Sequence, residues 1–199
     1  MNLPSKIVLA TNNAHKVDEI TQILAGAGPV NFLTLRDFPE VPEVVEDQDT
    51  FAGNALKKAK SVMEATRLPA LADDSGLEVD ALFLAPGVRS ARYSGKGAAE
   101  NNRLLLLNLE GVEDARRTAR FRCVVALCVP GRAPVVVEGK VEGRIGHEGK
   151  GSGGFGYDPL FVPDGHSVTL AEMSGAEKNA LSHRGNALKS LLRKISDLP

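Results

Sequence analysis

The chain has 199 residues, 43% of them hydrophobic and 25% charged, enough for one sizeable core or for two lobes sharing a sheet. Its formal net charge of −1 gives no bulk attraction to nucleic acid or to an anionic membrane, so any anionic ligand must be held by locally placed lysines and glycines. The two cysteines, Cys123 and Cys128, lie five apart in one β-like run and point to opposite faces of it, which excludes a bridge between them there. They read as buried thiols in a reducing compartment, and the expected location is the cytoplasm. The histidines (His15, His147, His166, His183) lack zinc-site spacing. Ile7-Val8-Leu9-Ala10 is too short for a signal-peptide core, and no run approaches a membrane span.

In chain order, Ile7–Ala10 is a short apolar strand that runs into Thr11-Asn12-Asn13-Ala14-His15-Lys16. Val17, Ile20, Leu24 and Ala27 then recur at helical spacing until Gly26-Ala27-Gly28-Pro29 stops the helix. A strand, a polar turn and a helix start form an anion site, because unpaired amides and the helix dipole face the ligand there. Lys16 adds a cation in a first turn where the dipole favours a carboxylate, so it is either a ligand contact or a surface lysine.

Asn31–Leu35 predicts a second strand, followed by an acidic loop in which Pro39 and Pro42 oppose regular structure. Glu43, Glu46, Asp47 and Asp49 make that loop either a solvated acidic cluster or the source of a magnesium ligand. Thr50 stands at a helix N-cap, and Phe51, Ala55, Ala59, Val62 and Thr66 mark one helical face, with Lys57, Lys58 and Lys60 mostly off it.

Leu71-Ala72-Asp73-Asp74-Ser75-Gly76-Leu77 is the stretch around which the rest is organised. It reads either as a buried strand delivering two carboxylates at its carboxyl end or as a strand followed by a polar turn. On a strand the two aspartates leave opposite faces. Leu77–Leu82 alternates like a strand, with a short helix as the alternative, and residues 88–95 read as a polar loop carrying Arg89 and Arg92. Ala98–Leu109 predicts a buried helix stopped by Gly111. Residues 117–129 and 134–145 predict a hairpin about Pro130-Gly131-Arg132-Ala133.

The glycine-dense run 149–159 fits neither a dinucleotide fingerprint, which needs a helix straight after it, nor a Walker A loop. Its glycines allow close backbone approach to a ligand, with Phe155 and Tyr157 as candidates to stack on a planar base; alternatively those rings pack on the core. Ser174-Gly175-Ala176-Glu177 is a capping-box pattern that opens a short helix carrying Lys178. Ser182-His183-Arg184-Gly185 follows, and Ala187, Leu188, Leu191, Leu192 and Ile195 describe an amphipathic terminal helix. Lys178, His183 and Arg184 are either ligand contacts or ordinary charges at a helix junction. The expected fold is α/β: a long twisted mixed sheet flanked by helices, one domain over residues 1–199 in two lobes with a central cleft and no linker.

Taken together these segments resemble the inosine triphosphate pyrophosphatase family. The resemblance rests on Thr11–Lys16, Thr50-Phe51 with Asn54-Ala55, Ala72–Leu77, Ser90–Gly95, Gly153–Pro159 and Ser182–Gly185, all in the family's order. It implies hydrolysis of inosine, xanthosine and deoxyinosine triphosphates to monophosphate and pyrophosphate, with Mg2+ as cofactor and a homodimer as assembly. By the same resemblance, Asp74 is the proton acceptor for the attacking water, and Glu46 and Asp74 are the metal ligands. Thr11, Asn12, Asn13, Ala14, His15, Lys16, Ser75 and Lys178 would hold the triphosphate. Phe155, Gly156, Tyr157, Asp158, His183 and Arg184 would hold base and sugar, with Arg184 facing the 6-oxo group. Two positions depart from the family pattern: Asn12 stands where many members have glycine, and Gly53 where an acidic residue is common. The alternatives are a non-catalytic purine-nucleotide-binding module and a pyrophosphatase for other modified nucleotides.

Overall fold

The structure, a computed structural model, describes residues 3–197. Among the described residues a six-stranded mixed sheet in the order β2-β1-β3-β4-β5-β6 is flanked by five α-helices. The strands are β1 (Lys6–Leu9), β2 (Asn31–Thr34), β3 (Ala70–Val79), β4 (Thr118–Cys128), β5 (Val135–Ile145) and β6 (Phe161–Pro163). The helices are α1 (Ala14–Leu24), α2 (Phe51–Thr66), α3 (Ala98–Asn108), α4 (Gly175–Leu181) and α5 (His183–Ser196). β1 runs parallel to both β2 and β3, with Leu9 opposite Thr34 on one side and Leu71 on the other. β5 and β6 are antiparallel, with Ile145 opposite Phe161.

The described residues form two compact units. The first comprises the chain up to Asp74, Cys123–Gly139 and the chain from Arg184 onward. Its core joins Ile7, Leu9 and Leu71 of the sheet to Ile20 and Leu24 of α1 and to Leu188, Leu191 and Ile195 of α5. These helix positions fall at the three- and four-residue spacing that puts one apolar face on a sheet. The second unit comprises Ser75–Arg122 and Lys140–His183. Its core gathers Leu77, Val79, Leu105, Leu109, Phe121, Tyr157 and Phe161.

Four local expectations change. Asp73, Asp74, Ser75 and Gly76 lie inside β3, which continues to Val79, so the carboxylates sit mid-strand and neither a strand end nor a turn occurs there. Leu77–Val79 is the strand's last part, and Asp80–Leu82 is a 3-10 turn. Residues expected as a loop wind into a 3-10 segment, Gly87–Arg92, because Ser90 clamps it. Ser90 Oγ accepts from the Leu77 amide (2.9 Å) and donates to Gly87 O (2.6 Å), while Asn101 Nδ2 donates to Ser90 O and Ala91 O (both 3.2 Å). α3 is less buried than its leucines imply: Leu105 is inside, whereas Leu107 is 48% exposed.

Cys123 and Cys128 are both buried and unbridged. No helix among the described residues is long and apolar enough to cross a membrane.

Candidate active site

In the first unit, β1 ends at Leu9 and α1 begins at Ala14, so Thr11–Asn13 must turn the chain at a helix start. Asn13 caps that helix. Its Oδ1 accepts from the amides of His15 (3.0 Å) and Lys16 (3.4 Å), and its own amide donates to Thr11 Oγ1 (3.2 Å). Two of the amides expected to face an anion are therefore covered by an internal acceptor, which an incoming phosphate would have to replace. Lys16 is no surface lysine: its ammonium lies 3.1 Å from Asp73 Oδ2.

Asp73 and Asp74 leave opposite faces of β3, and their surroundings differ accordingly. Asp73 is 1% exposed. Its Oδ2 accepts from Arg184 Nη2 (2.8 Å) and Nε (3.2 Å), and Arg184 also pairs with Glu19. Burial opposes the charge on Asp73, but Lys16, Arg184 and Lys58 outweigh it and hold the carboxyl well below the usual carboxylate range. The same burial, with Asp73 beside it, pushes the Cys123 thiol up, so Cys123 is an inert packing residue.

Asp74 faces α2. Its Oδ2 accepts from Asn54 Nδ2 (3.0 Å), and its Oδ1 lies 3.7 Å from the Lys58 ammonium. Lys58, 8% exposed, also forms an ion pair with Glu46 of the acidic loop. Burial raises the Asp74 pKa and Glu46 adds to the rise, while Lys58, the Asn54 amide and Lys16 offset part of it. Burial lowers the Lys58 pKa, but Asp73, Asp74 and Glu46 together outweigh it, and the ammonium is held above its ordinary range.

Glu46 and Asp74, 28 positions apart in sequence, are thus brought to one cation. Of the acidic cluster, Asp47 instead pairs with the more exposed Lys57 (2.7 Å). The donor set suits a hard divalent ion. Magnesium is commonly held by one or two carboxylates with substrate phosphates completing its shell. Among the described residues there is no group of three or more His, Cys, Asp or Glu that could hold a metal ion.

In the second unit the glycine loop closes on a buried ion pair. Asp158, 2% exposed, accepts from the Phe155 amide (2.8 Å) and from Lys178 Nζ (2.6 Å). The Lys178 ammonium lies 4.7 Å from the Phe155 ring centroid, a cation–π arrangement. Gly154 makes this fold of the loop attainable. It adopts φ +68, and a Cβ there would lie 2.1 Å from Asp158 Oδ2. Asn102 of α3 fastens the next glycine, donating from Nδ2 to Gly156 O (3.0 Å). Lys178 itself is delivered by α4, whose Ser174–Glu177 capping box is fully formed.

Several sequence candidates are placed differently from expectation. Tyr157 is a core residue, 4% exposed, that donates its hydroxyl to Ser90 O (2.9 Å), and burial raises its pKa. Phe155 is half-buried and keeps the option of stacking on a base. Asp158 and Lys178 occupy each other, and Ser75 is half-buried within β3. His183 is 4% exposed and stacks on Phe121, with centroids 4.8 Å apart and planes 13° apart. Arg184 is fully buried and committed to Asp73 and Glu19, so any base contact from it requires that pairing to open.

Lys58 and Asn54 were missed as functional candidates, although the signal was present. Residues 51, 54, 55, 58, 59 and 62 follow the three- and four-residue spacing of a buried face, and all six are buried.

The model of the Ham1 family matches residues 7–194. This chain belongs to the Ham1 family. The Ham1 chain is 52% identical over 194 residues to a dITP/XTP pyrophosphatase of Thioalkalivibrio sulfidiphilus, covering 96% of this chain and 98% of that one. A Geobacter sulfurreducens protein of the same name is 52% identical over 189 residues, covering 94% of each chain. Among solved structures, a HAM1 protein from Coxiella burnetii superposes with a TM-score of 0.87 at 43% identity, covering 98% of this chain and 100% of that one. The nucleoside-triphosphatase / dITP/XTP pyrophosphatase of Mycobacterium abscessus gives 0.77 at 45% identity, covering 96% and 99%.

Proposed function

We propose that this Ham1 family chain hydrolyses non-canonical purine nucleoside triphosphates (dITP, XTP and ITP) to the monophosphate and pyrophosphate, removing them from the nucleotide pool. Relatives that match almost end to end carry the name dITP/XTP pyrophosphatase. The observation that carries the chemistry is the shared ammonium. Glu46 and Asp74 are both turned to Lys58, a buried cation position set between two carboxylates. A purely binding module needs no such pair.

In this reading water attacks the α-phosphorus, its oxygen forms the new P–O bond, and the bond to the pyrophosphate leaving group breaks. Asp74 accepts the water's proton. Its raised proton affinity suits that role, and the Asn54 amide, by bonding one oxygen, fixes the carboxylate's orientation. Glu46 and Asp74 would hold Mg2+, which when bound supplies charge neutralisation at the phosphate oxygens. Lys58 and Lys16 add fixed positive charge, and the residues from Thr11 to Lys16 would meet the triphosphate together with Ser75 and Lys178. In the second unit Phe155, oriented through Asp158 and Lys178, offers the aromatic face for the base, with Gly156 and His183 beside it in the chain's recognition set. Donors facing position 6 of the purine would favour an oxo group over an amino group, because the latter leaves donors opposed. Arg184 joins that set only in a state where it has left Asp73 and Glu19.

The family resemblance further carries a cytoplasmic homodimer. Buried, unbridged cysteines agree with a reducing compartment, and light scattering of the purified chain tests the dimer.

The direct test of the base is Asp74→Asn. It should lower kcat for pyrophosphate release by about 10²–10⁴-fold, with nucleotide binding largely retained. Near-wild-type turnover by this variant would remove Asp74 from the role.

A further inference from the structure

Asn54 enters the scheme above only through the Asp74 carboxylate, yet it also bonds the loop that carries Glu46. It is 0% exposed, on the inward face of α2. Its Nδ2 donates to Asp74 Oδ2 (3.0 Å) and to Gln48 O (3.3 Å), and its Oδ1 accepts from Gln48 N (3.0 Å). The side-chain amide therefore reads the Gln48 backbone in both directions, as a neighbouring strand would. Gln48 stands two residues after Glu46, in a segment that has no regular secondary structure from Pro42 to Gln48.

The loop's other ties differ in kind. Lys57 donates to Val45 O (2.9 Å) and pairs with Asp47, but those two side chains are 34% and 54% exposed, where such contacts are weak. Lys58 holds the Glu46 carboxylate itself and leaves the backbone alone. Asn54 supplies a buried anchor on the main chain. The close fit at Gly53 agrees, since a Cβ there would lie 2.8 Å from Gln48 Cβ, so loop and helix start are in tight contact.

We propose that Asn54 is a positioning residue for the divalent cation, holding the Glu46 loop and the Asp74 carboxylate in one arrangement. The inference rests on reading Glu46 and Asp74 as metal ligands. Without the latch, the acidic loop would have to be ordered each time a metal binds, and Asp74 would lose the donor that fixes its oxygen. Partners that orient ligands in this way typically govern affinity as well as geometry.

The test uses the full chain and Mn2+, a paramagnetic stand-in for Mg2+, with free ion measured by electron paramagnetic resonance. Asn54→Leu keeps the volume and removes all three bonds; Asn54→Ser keeps a hydroxyl that is too short to span them. Both should bind Mn2+ about 10–100-fold more weakly than wild type, and residues 42–49 should be cleaved faster by a protease in the metal-free protein. Lys57→Ala should leave Mn2+ affinity unchanged. Thermal melts establish that the variants are folded, and if Asn54→Leu is not, Asn54→Ser alone decides.

Wild-type affinity in a folded Asn54 variant, with loss in Glu46→Gln, would overturn the positioning role and leave the metal site standing. Wild-type affinity in Glu46→Gln and Asp74→Asn would instead remove the metal-site reading, and the positioning role with it.

Discussion

Asp73 and Asp74 are chain neighbours whose proton affinities move in opposite directions. Two cations bonded to Asp73 overcome its burial, whereas Asp74, with a more distant ammonium and another carboxylate near, is left with a raised pKa. Asp73 is therefore a structural anion. Asp73→Asn should destabilise the protein by about 3–5 kcal/mol at neutral pH, because the variant leaves Arg184 and Lys16 buried with an unmatched charge. Urea unfolding measures this, and a change below about 1 kcal/mol would contradict it. The pH dependence follows in sign. Folding lowers the affinity of Asp73 for protons, so its contribution is complete above the unfolded carboxylate range. It is lost as pH falls below about 4, towards the folded value. The gap between wild type and Asp73→Asn should narrow over that range. The opposed faces of the two aspartates follow from strand alternation, so that much was readable from sequence. The partners were not: Arg184 lies 111 residues from Asp73, and no local pattern reports which cation a buried carboxylate will find.

At the scale of elements, helix starts carry much of the proposed site. Thr50 caps α2, its Oγ1 accepting from the Gly53 amide (3.0 Å), and α2 carries both Asn54 and Lys58. Thr50→Ala should cost about 0.5–2 kcal/mol in an unfolding titration, and no measurable change would deny the cap a stabilising role. The glycine loop makes a different prediction. Gly154→Ala meets both the φ +68 backbone and the Asp158 carboxylate, which places Phe155 and Lys178. It should raise KM by about tenfold or more, in keeping with strain of about 1–3 kcal/mol, with a smaller effect on kcat. An unchanged KM would separate the loop from substrate binding.

Both caps were legible in the sequence, since Thr50 and Ser174 carry the residue types that satisfy orphan amides. The continuation of β3 through Asp73-Asp74-Ser75-Gly76 was not, because residues that favour turns in isolation are overridden where flanking strands and buried partners hold them extended. The inward turn of Lys58 was hidden by its charge, although its spacing placed it among the apolar positions.

For the molecule as a whole, the order of strands and helices was largely readable, with boundaries within a few residues. Two lobes were an expectation from the sequence, but where the two compact units divide was not readable, since three strands carry residues belonging to both and no composition break marks the crossing points. The carboxylates and lysines around Asp74 lie in the first unit, and the aromatic loop with its buried ion pair lies in the second. The most direct test of the proposed function is the rate of pyrophosphate release, with Mg2+, from dITP, XTP and ITP against ATP and GTP. We expect kcat/KM on the order of 10²–10⁴-fold higher for dITP, XTP and ITP than for ATP, as donors opposed to a 6-amino group require. Equal rates on all five nucleotides, or release of orthophosphate in place of pyrophosphate, would contradict it.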